Sequence, residues 1–484
     1  MKIAIIFLTL ITGNSFLSVT LCESKAYPGD SSVKGKIKTE PILPVASKHS
    51  NTSCFINPKT LNVIETIITG PKGHEITVTP DPMMMWLSPQ KQSPIKSKPL
   101  HFRVQTDVAH QELSTGFCWF HPRVAAIPGY GKGGNPAIIM TIQKHLVVSD
   151  YYSGMYYMRT DDLGKNWSGP IEIPELAWQY EADGTTVSVA DVTPGWHSPT
   201  GKLIAIGIKV RYSKEGRQLL DKSRSHDAAY AVFDPETNIW TPWKMLANVP
   251  EPDTKFFLVN PGCVQWLVKP DGTILLPVYF SGPELGESSV TVFECAFDGE
   301  TMTYLRHGDE MTVKGGRGLG EPSLASYNNR YYLTLRNDRC GYVTSGEDGL
   351  HWLPIREWTF DDGMELGSYN TQAHWLSHSN GLFLTYTRRG ANNDHIARNR
   401  APLFMAEVDP EKLHVIRSTE QILIPERGVM LGNFGAAPIT KKESWVTDAE
   451  FIVGDKPHPR GADGTVWIAR IIWSKKNKLI KYLK

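Results

Sequence analysis

The chain has 484 residues with a formal net charge of +1; 41% of the residues are apolar and 21% are charged. This composition is ordinary for a globular protein, and the near-zero charge argues against a nucleic-acid or membrane-surface role for the body of the chain. Beyond the N-terminal segment no run approaches the ~20 apolar residues of a membrane-spanning helix, so no membrane span is expected.

Residues 1–22 have the features of a secretory signal peptide. Lys2 supplies a positive charge, Ile3–Ile11 form a short apolar stretch, and a polar stretch with small residues leads to Cys22. Cys22 is also a candidate lipidated cysteine, although Leu21 stands where lipoprotein signals favour a small residue. We therefore expect an exported, periplasmic protein, with secretion or lipid anchoring through Cys22 as alternatives.

Residues 23–55 are rich in Ser, Lys, Pro and Gly and are expected to form a flexible leader, followed by a single domain over residues 56–484. The remaining cysteines are widely scattered and include no CxxC pair, so they indicate neither a disulfide framework nor a zinc site. One disulfide is conceivable, but buried thiols fit the pattern better. No cofactor and no metal are expected. These cysteines are Cys54, Cys118, Cys263, Cys295 and Cys340.

A hairpin recurs along the chain as an apolar strand, a tight turn and a second apolar strand. Turns such as Asp271-Gly272 and Asn380-Gly381 favour hairpins because their residues accept positive φ. Six hairpins at intervals of ~50–70 residues, mostly followed by a third strand, predict an all-β β-propeller. Six blades are expected, or seven if residues 60–110 supply another. The hairpins span residues 121–146, 187–210, 264–280, 323–336, 371–388 and 435–451.

Two segments match the pattern S/T-x-D-x-G-x-x-W, known as the Asp box. Thr160–Trp167 fits it, Ser345–Trp352 fits it with Glu347 in place of Asp, and Asp234–Trp240 looks like a degenerate copy. The acidic side chain is expected to cap turn amides, and the Trp to pack between blades. On these motifs, residues from about 115 to 473 resemble the sialidase superfamily of propellers.

Hairpin geometry also predicts where a site would form. The start of the first strand lies beside the end of the second strand, so residues at both positions share one rim of the propeller. Cations, imidazoles, phenols and amides recur there and predict a pocket for an anion such as a carboxylate. These residues include His121, Arg123, His145, Arg211, Tyr212, Asn260, Tyr279, Glu321, Arg336, Asn370, Gln372, His374, Arg388 and Asn433.

The sialidase resemblance implies roles for individual residues. His121-Pro-Arg-Val resembles the family's F/Y-R-I-P motif, which implies that Arg123 binds the substrate carboxylate. Asp150 falls near the position of the family's acid/base aspartate. Glu321 and Arg336 resemble the glutamate that assists the nucleophile and the second carboxylate-binding arginine.

The resemblance also has a departure. Arg398 or Arg400 is the candidate third arginine, but Phe434 occupies the expected place of the family's tyrosine nucleophile. A phenyl ring cannot attack an anomeric carbon. Unless Tyr369 substitutes, ordinary retaining sialidase chemistry is not expected.

A second resemblance concerns His121, His145, Arg211 and Tyr212, which are similar to the sets used by propeller-type ulvan lyases that eliminate across C4–C5 of uronic acids. A neutral His can take the C5 proton while Arg and Asn neutralise the carboxylate and a Tyr or second His protonates the leaving group. The leading hypothesis is β-elimination on a uronic acid of an acidic, ulvan-type oligosaccharide, as a lyase or a dehydratase.

In that hypothesis His121 and His145 are the candidate base and acid, and Tyr212 is an alternative acid. One alternative is an exo-sialidase-like hydrolase using Asp150 and Glu321, and another is a non-catalytic glycan-binding propeller. The candidate substrate-binding residues are Arg123, Arg211, Glu321, Arg336, Asn370, Gln372, Arg388 and Asn433.

Overall fold

The computed structural model describes residues 100–148, 150–219, 227–431 and 433–483. Apart from the backbone of short strands, the predicted signal peptide 1–22 and the leader 23–55 lie outside the described residues, as do the side chains of Cys22 and Cys54. The propeller unit covers Ser97–Lys484. Short strands precede it at Ile11–Thr12, Ser15–Phe16, Leu43–Ser47, Thr52–Ile56 and Val63–Ile68.

The propeller has six blades, each an antiparallel sheet. Blade 1 consists of Cys118–Ile127, Ala137–His145, Tyr156–Thr160 and Ser168–Glu172. Blade 2 consists of Gln179–Tyr180, Thr186–His197, Lys202–Tyr212, Ala228–Asp234, Ile239–Trp240 and Lys244–Met245. Blade 3 consists of Leu258–Asn260, Leu267–Val268, Ile274–Ser281, Ser289–Phe297 and Met302–His307.

Blade 4 consists of Gly320–Tyr327, Arg330–Arg336, Tyr342–Gly346 and Arg356–Glu357. Blade 5 consists of His374–His378, Gly381–Tyr386, Leu403–Asp409, His414–Val415 and Gln421–Ile424. Blade 6 consists of Gly435–Thr440, Glu443–Ala449, Thr465–Trp473 and, from the other end of the chain, Phe102–Gln111. All six predicted hairpins and their third strands are therefore present, with boundaries that differ by a few residues.

The strand Phe102–Gln111 closes the ring. It pairs antiparallel with Thr465–Trp473, from Phe102 opposite Trp473 to Gln111 opposite Thr465. Residues 102–111 thus complete the sixth blade, which corrects the option that they belong to a seventh. Blade 6 combines strands from the first and last parts of the propeller sequence. Detachment of either part would therefore expose an unpaired sheet edge.

Hydrophobic packing between neighbouring blades forms the core. The middle strand Ala137–His145 is buried along almost its whole length, because its apolar run lies against other blades on both faces. One cluster joins blades 1 and 2 through Ile139, Val189 and Phe233. The described cysteines Cys118, Cys263, Cys295 and Cys340 are all free and buried, as their scattered positions predicted.

The Asp boxes connect third and fourth strands of their blades. In the first box Asp162 accepts a hydrogen bond from the Asn166 amide at 2.9 Å, and Trp167 contacts Trp445 of blade 6. In the second box the capping acid is Asp348, which accepts from the amides of Leu350 and His351 at 2.9 and 2.8 Å. The expected cap by Glu347 is therefore displaced by one residue.

Helical structure in the described ranges is limited to single 3-10 turns at Lys132–Gly134, Pro174–Leu176, Ala397–Asn399 and Arg417–Thr419. Across those same ranges, none of the helical segments has the length and apolar character needed to cross a membrane.

Candidate functional site

The innermost strands of the blades share a backbone device that directs side chains toward the propeller axis. In five blades a non-glycine residue with positive φ lies two positions before a residue that pairs with another strand, forms an isolated bridge or begins a strand. In blades 1, 2 and 4 the strand register shifts there, as in a β-bulge. Such φ values are uncommon outside glycine and concentrate at functional sites. The residues and their φ values are His121 (56°), Asp191 (58°), Cys263 (58°), Glu321 (41°) and Asn433 (62°).

His121 and Asp191 form the centre of this site. Nε2 of His121 lies 2.9 Å from Oδ1 of Asp191, and Nδ2 of Asn433 lies 2.6 Å from the same nitrogen. Nδ1 of His121 is buried and has no hydrogen-bond partner among the described residues. In the tautomer that donates Nε2–H to Asp191, Nδ1 keeps a free lone pair; the Asn433 amide nitrogen can donate to Nε2 only in the other tautomer.

The charge states of the pair follow from burial and mutual attraction. Burial lowers the pKa of His121, and Asp191 opposes this effect. Burial raises the pKa of Asp191, but His121 and Arg123 outweigh it and bring that pKa down to about 2. At neutral pH the pair is therefore a neutral imidazole oriented by a carboxylate, which is the arrangement of a general base.

His145 and two tyrosines lie beside this pair. The ring of Tyr152, which the sequence analysis did not single out, lies 4.8 Å from His121 and 5.3 Å from His145. His145 accepts a hydrogen bond from the Val147 amide at 3.2 Å, and burial, with a smaller effect of His121, lowers its pKa to about 4. His145 is therefore neutral at pH 7. Burial raises the pKa of Tyr212 well above its ordinary value, so Tyr212 keeps its proton.

Arginines converge on Asn370 on another side of the site. Arg336 pairs with Glu321 and donates to the Asn370 side-chain oxygen at 2.6 Å, and Arg317 donates to that oxygen at 3.0 Å. Arg400 donates to the main-chain oxygen of Asn370 at 2.5 Å. The sequence analysis missed Arg317, because it considered the residues at the ends of second strands. Arg317 instead precedes Gly320–Tyr327, the first strand of blade 4.

Arg400 differs from the other two arginines because it forms no ion pair with a carboxylate of the described residues, although the charge of Glu321 acts on it. It is 4% exposed, and its Nε is buried without a hydrogen-bond partner in the described part of the chain. Burial, with a further effect of Arg336, lowers its pKa to about 10. A buried guanidinium without an ion pair is suited to binding an anion, because burying a charge without a partner is costly.

Tyr279 connects the two sides of the site. Its pKa is raised well above the ordinary value by burial and by the charges of Glu321 and Asp191, while Arg336 acts in the opposite direction. Tyr279 therefore lies within electrostatic range of Glu321 and Asp191. Because its pKa is raised, the Tyr279 hydroxyl keeps its proton at neutral pH.

Arg123 lies where the sequence did not predict it. It is 1% exposed and donates to the main-chain oxygens of Val192, Asn433 and Phe434 and to Sγ of Cys263. Four of its five N–H groups are thus occupied by the protein. The bulge at His121-Pro122 turns His121 toward the site, so the residue two positions later holds blades together and is not open to a carboxylate.

Two other predicted arginines are engaged away from the cluster. Arg211 pairs with Glu181 at 2.9 Å on the rim. Arg388 donates to both carboxylate oxygens of Glu420 at 2.8 and 2.7 Å, and its guanidinium lies over the ring of Phe404. These contacts hold Arg388 in the wall of blade 5, which corrects its placement in the anion-binding shell.

The last blade contributes Asn433 to the site, next to the position where the sialidase resemblance implies a tyrosine nucleophile. Gln372 packs against Asn433 and Phe434 in the buried interior. Phe434 is fully buried and its carbonyl accepts from His374 at 3.0 Å, so its role is structural. Tyr369, the possible substitute nucleophile, donates its hydroxyl to Asn399 at 2.7 Å and joins none of these groups.

His121, Asp191 and Cys263 could be considered as metal ligands because their donor atoms lie within 4.8 Å of one another. Two features oppose this role. Arg123 donates to Sγ of Cys263 at 3.0 Å, and burial keeps the pKa of the Cys263 thiol well above its ordinary value. A zinc ligand must be a thiolate, so a thiol beside a guanidinium is unsuited to a cation.

No family model and no curated protein matches this sequence. Solved structures similar to it include a protein of unknown function from Dyadobacter fermentans, with 14% identity over 76% of this chain and 99% of that one, and a TM-score of 0.50. A mutant of the NanB sialidase from Streptococcus pneumoniae is 10% identical over 89% of this chain and 83% of that one, with a TM-score of 0.50. These similarities show a sialidase-like, six-blade propeller fold.

Proposed function

We propose that this protein is an exported enzyme that performs β-elimination on a uronic acid residue of an acidic oligosaccharide. The observation that carries the proposal is the contact of His121 with Asp191 at 2.9 Å, together with a buried Arg400 that has no ion pair within the described ranges. Elimination needs both groups. One removes the proton next to the carboxylate, and the other stabilises the negative charge that develops on that carboxylate.

The proposed reaction assigns one role to each group. Arg400 and Arg336 hold the sugar carboxylate and make the C5 proton more acidic. His121 takes that proton, the electron pair of the C5–H bond forms the C4=C5 double bond, and the C4–O bond breaks. The departing oxygen takes a proton from the hydroxyl of Tyr279, whose raised pKa keeps it protonated at neutral pH. A sugar as leaving group makes the enzyme a lyase, and water makes it a dehydratase.

A hydrolase of the sialidase type is the second candidate. Two observations favour it: the sialidase-like fold, and the presence of Tyr279 and Glu321 in one site, where the carboxylate raises the pKa of the phenol. In this candidate Glu321 assists Tyr279 as nucleophile, and Asp150, which accepts from the Tyr152 hydroxyl at 3.4 Å, is the acid. The nucleophile then comes from blade 3 instead of the last blade.

Product analysis separates the two candidates. The protein is incubated with uronate-containing and sialylated oligosaccharides, while absorbance is followed near ~235 nm, where a conjugated unsaturated uronate absorbs. A rise with chain cleavage identifies a lyase, and a rise with loss of one water identifies a dehydratase. A shortened sugar without a rise supports hydrolysis, and binding without any product supports a non-catalytic glycan-binding propeller.

A further inference from the structure

An aromatic row leads from the proposed catalytic site toward the mouth of the propeller. The ring of Tyr152 lies 4.8 Å from that of His121. The next residue back, Tyr151, stacks on Trp178 with ring centroids 5.4 Å apart and an angle of 18° between the planes. Tyr180 follows and is 70% exposed, the highest value for any large hydrophobic side chain in the described ranges.

The position of Tyr180 at the mouth is set by strand pairing. Gln179–Tyr180 adds a short strand to the axial side of Thr186–His197, with Tyr180 opposite Thr186. Thr186 is in turn opposite Tyr212, at the rim end of blade 2. Tyr180 therefore stands above the site on the inner edge of a blade.

Trp178 is fixed in orientation, which suits it to ligand stacking. Its indole Nε1 donates to the main-chain oxygen of Tyr152 at 2.9 Å, and it is only partly buried. Polar side chains lie next to these rings. Gln179 is opposite Val187, and Val187 is in turn opposite Arg211 on the next strand. Arg211 forms an ion pair with Glu181. Aromatic rings next to charged and amide groups are the mixture that binds the apolar face and the hydroxyls of a sugar.

We propose that Trp178 and Tyr180 form a stacking subsite for a second sugar residue, so that the substrate is an oligosaccharide and not a single uronate. This inference rests on the proposed function of the adjacent site. The reacting uronate is held by its charge at Arg400, whereas the next sugar is held by its apolar face against the exposed rings. Longer chains therefore bind more tightly than the shortest substrate.

The test compares uronate-terminated substrates of one, two and four sugar units in the wild type and in Tyr180→Ala and Trp178→Ala, by KM where turnover occurs and by Kd otherwise. We expect KM of the wild type to fall with chain length. Loss of one stacking contact should reduce that gain by roughly three- to tenfold. Tyr482→Ala is the matched control, because Tyr482 is 41% exposed and lines a cavity of about 830 Å³ at the opposite end of the axis.

Calorimetric binding of the same oligosaccharides separates failure of the subsite from failure of the reaction. A length-dependent Kd that Tyr180→Ala removes supports the subsite even where no unsaturated product forms. Identical length dependence in the wild type and both variants overturns the subsite while leaving the reaction intact. Absence of binding at every length overturns both.

Discussion

Nε2 of His121 lies 2.9 Å from Oδ1 of Asp191, and the two residues come from the first long strands of adjacent blades. Both have positive φ, so the backbone of each blade is bent at the point where the side chains meet. The contact needs two strained residues to be held in place by the surrounding propeller. Strain of this kind persists where the fold over-determines the local conformation.

His121→Asn should reduce kcat by roughly 10²- to 10⁴-fold, the usual contribution of a general base. His197→Asn is the matched control: His197 is also buried, but it bonds Thr200 and Gly272 at a hairpin turn. Activity is measured by absorbance of the unsaturated product, and folding by circular dichroism. A folded His121→Asn variant with wild-type turnover would exclude His121 as the base.

Asp191→Asn should lower kcat and move the acid limb of the pH profile to lower pH. Asp191 raises the pKa of His121 against the effect of burial, so removing its charge lowers that pKa further. The base must be neutral to act, and a lower pKa keeps it neutral to a lower pH. The profile of kcat/KM between pH 4 and 8 measures the shift. A limb that stays in place would show that another group controls it.

Arg400→Met should raise KM for a carboxylated substrate by about tenfold or more, since a charged hydrogen bond to a ligand contributes about 1.5–3 kcal/mol. Arg417→Met is the control, because Arg417 lies on the surface and pairs with Asp362 at 2.7 Å. The same substrate with its carboxylate reduced to an alcohol should bind both proteins equally weakly. A KM for the carboxylated substrate that Arg400→Met leaves unchanged would contradict the anion site.

His374 predicts a stability change with pH. It is 1% exposed, with Nε2 donating to the Phe434 carbonyl at 3.0 Å and Nδ1 lying 2.8 Å from the Ser323 hydroxyl. Burial, and to a lesser degree Arg123, lowers its pKa to about 3. The unfolded chain therefore binds a proton below about pH 6.5 that the folded protein does not, so the free energy of unfolding falls as pH drops.

The expected size of this effect is up to about 1.4 kcal/mol per pH unit between pH 6.5 and 3. Urea unfolding at pH 7 and pH 5 measures it. His374→Gln should be less stable than the wild type at pH 7 but lose less stability on acidification. Equal losses in the two proteins would show that protonation of His374 does not contribute.

The closing strand offers a test of the fold. Phe102 packs edge-on against Phe383 at 5.7 Å and Trp473 at 5.4 Å, joining the outer strand of blade 6 to blade 5. Phe102→Ala should lower the free energy of unfolding by about 2–3 kcal/mol, somewhat less than truncation of a fully buried Phe. Val108 in the same strand is 50% exposed, so Val108→Ala should lower the free energy of unfolding by less than about 0.5 kcal/mol. Equal melting temperatures for the two variants would contradict this role.

Local sequence signals were sufficient to predict the hairpins of the six blades. Turns such as Asp271-Gly272 and apolar runs such as Ala137–Leu146 depend on interactions between near neighbours, so they appear in the sequence. The Asp box shows the limit of this reasoning. Asp348 caps the turn that the pattern assigned to Glu347, because capping depends on where an amide points and not on position in a motif.

The sequence by itself determined an all-β propeller of six hairpins and a rim rich in His, Tyr and Arg, because both follow from periodicity and hairpin pairing. Only the tertiary structure decided which rim residues meet. His121 joins Asp191, Arg123 turns away to bind main-chain oxygens, and Arg388 is held by Glu420. Bulges at single residues reverse the direction of a side chain, and contacts between blades bring together residues far apart in the chain. Neither effect leaves a periodic pattern in the sequence.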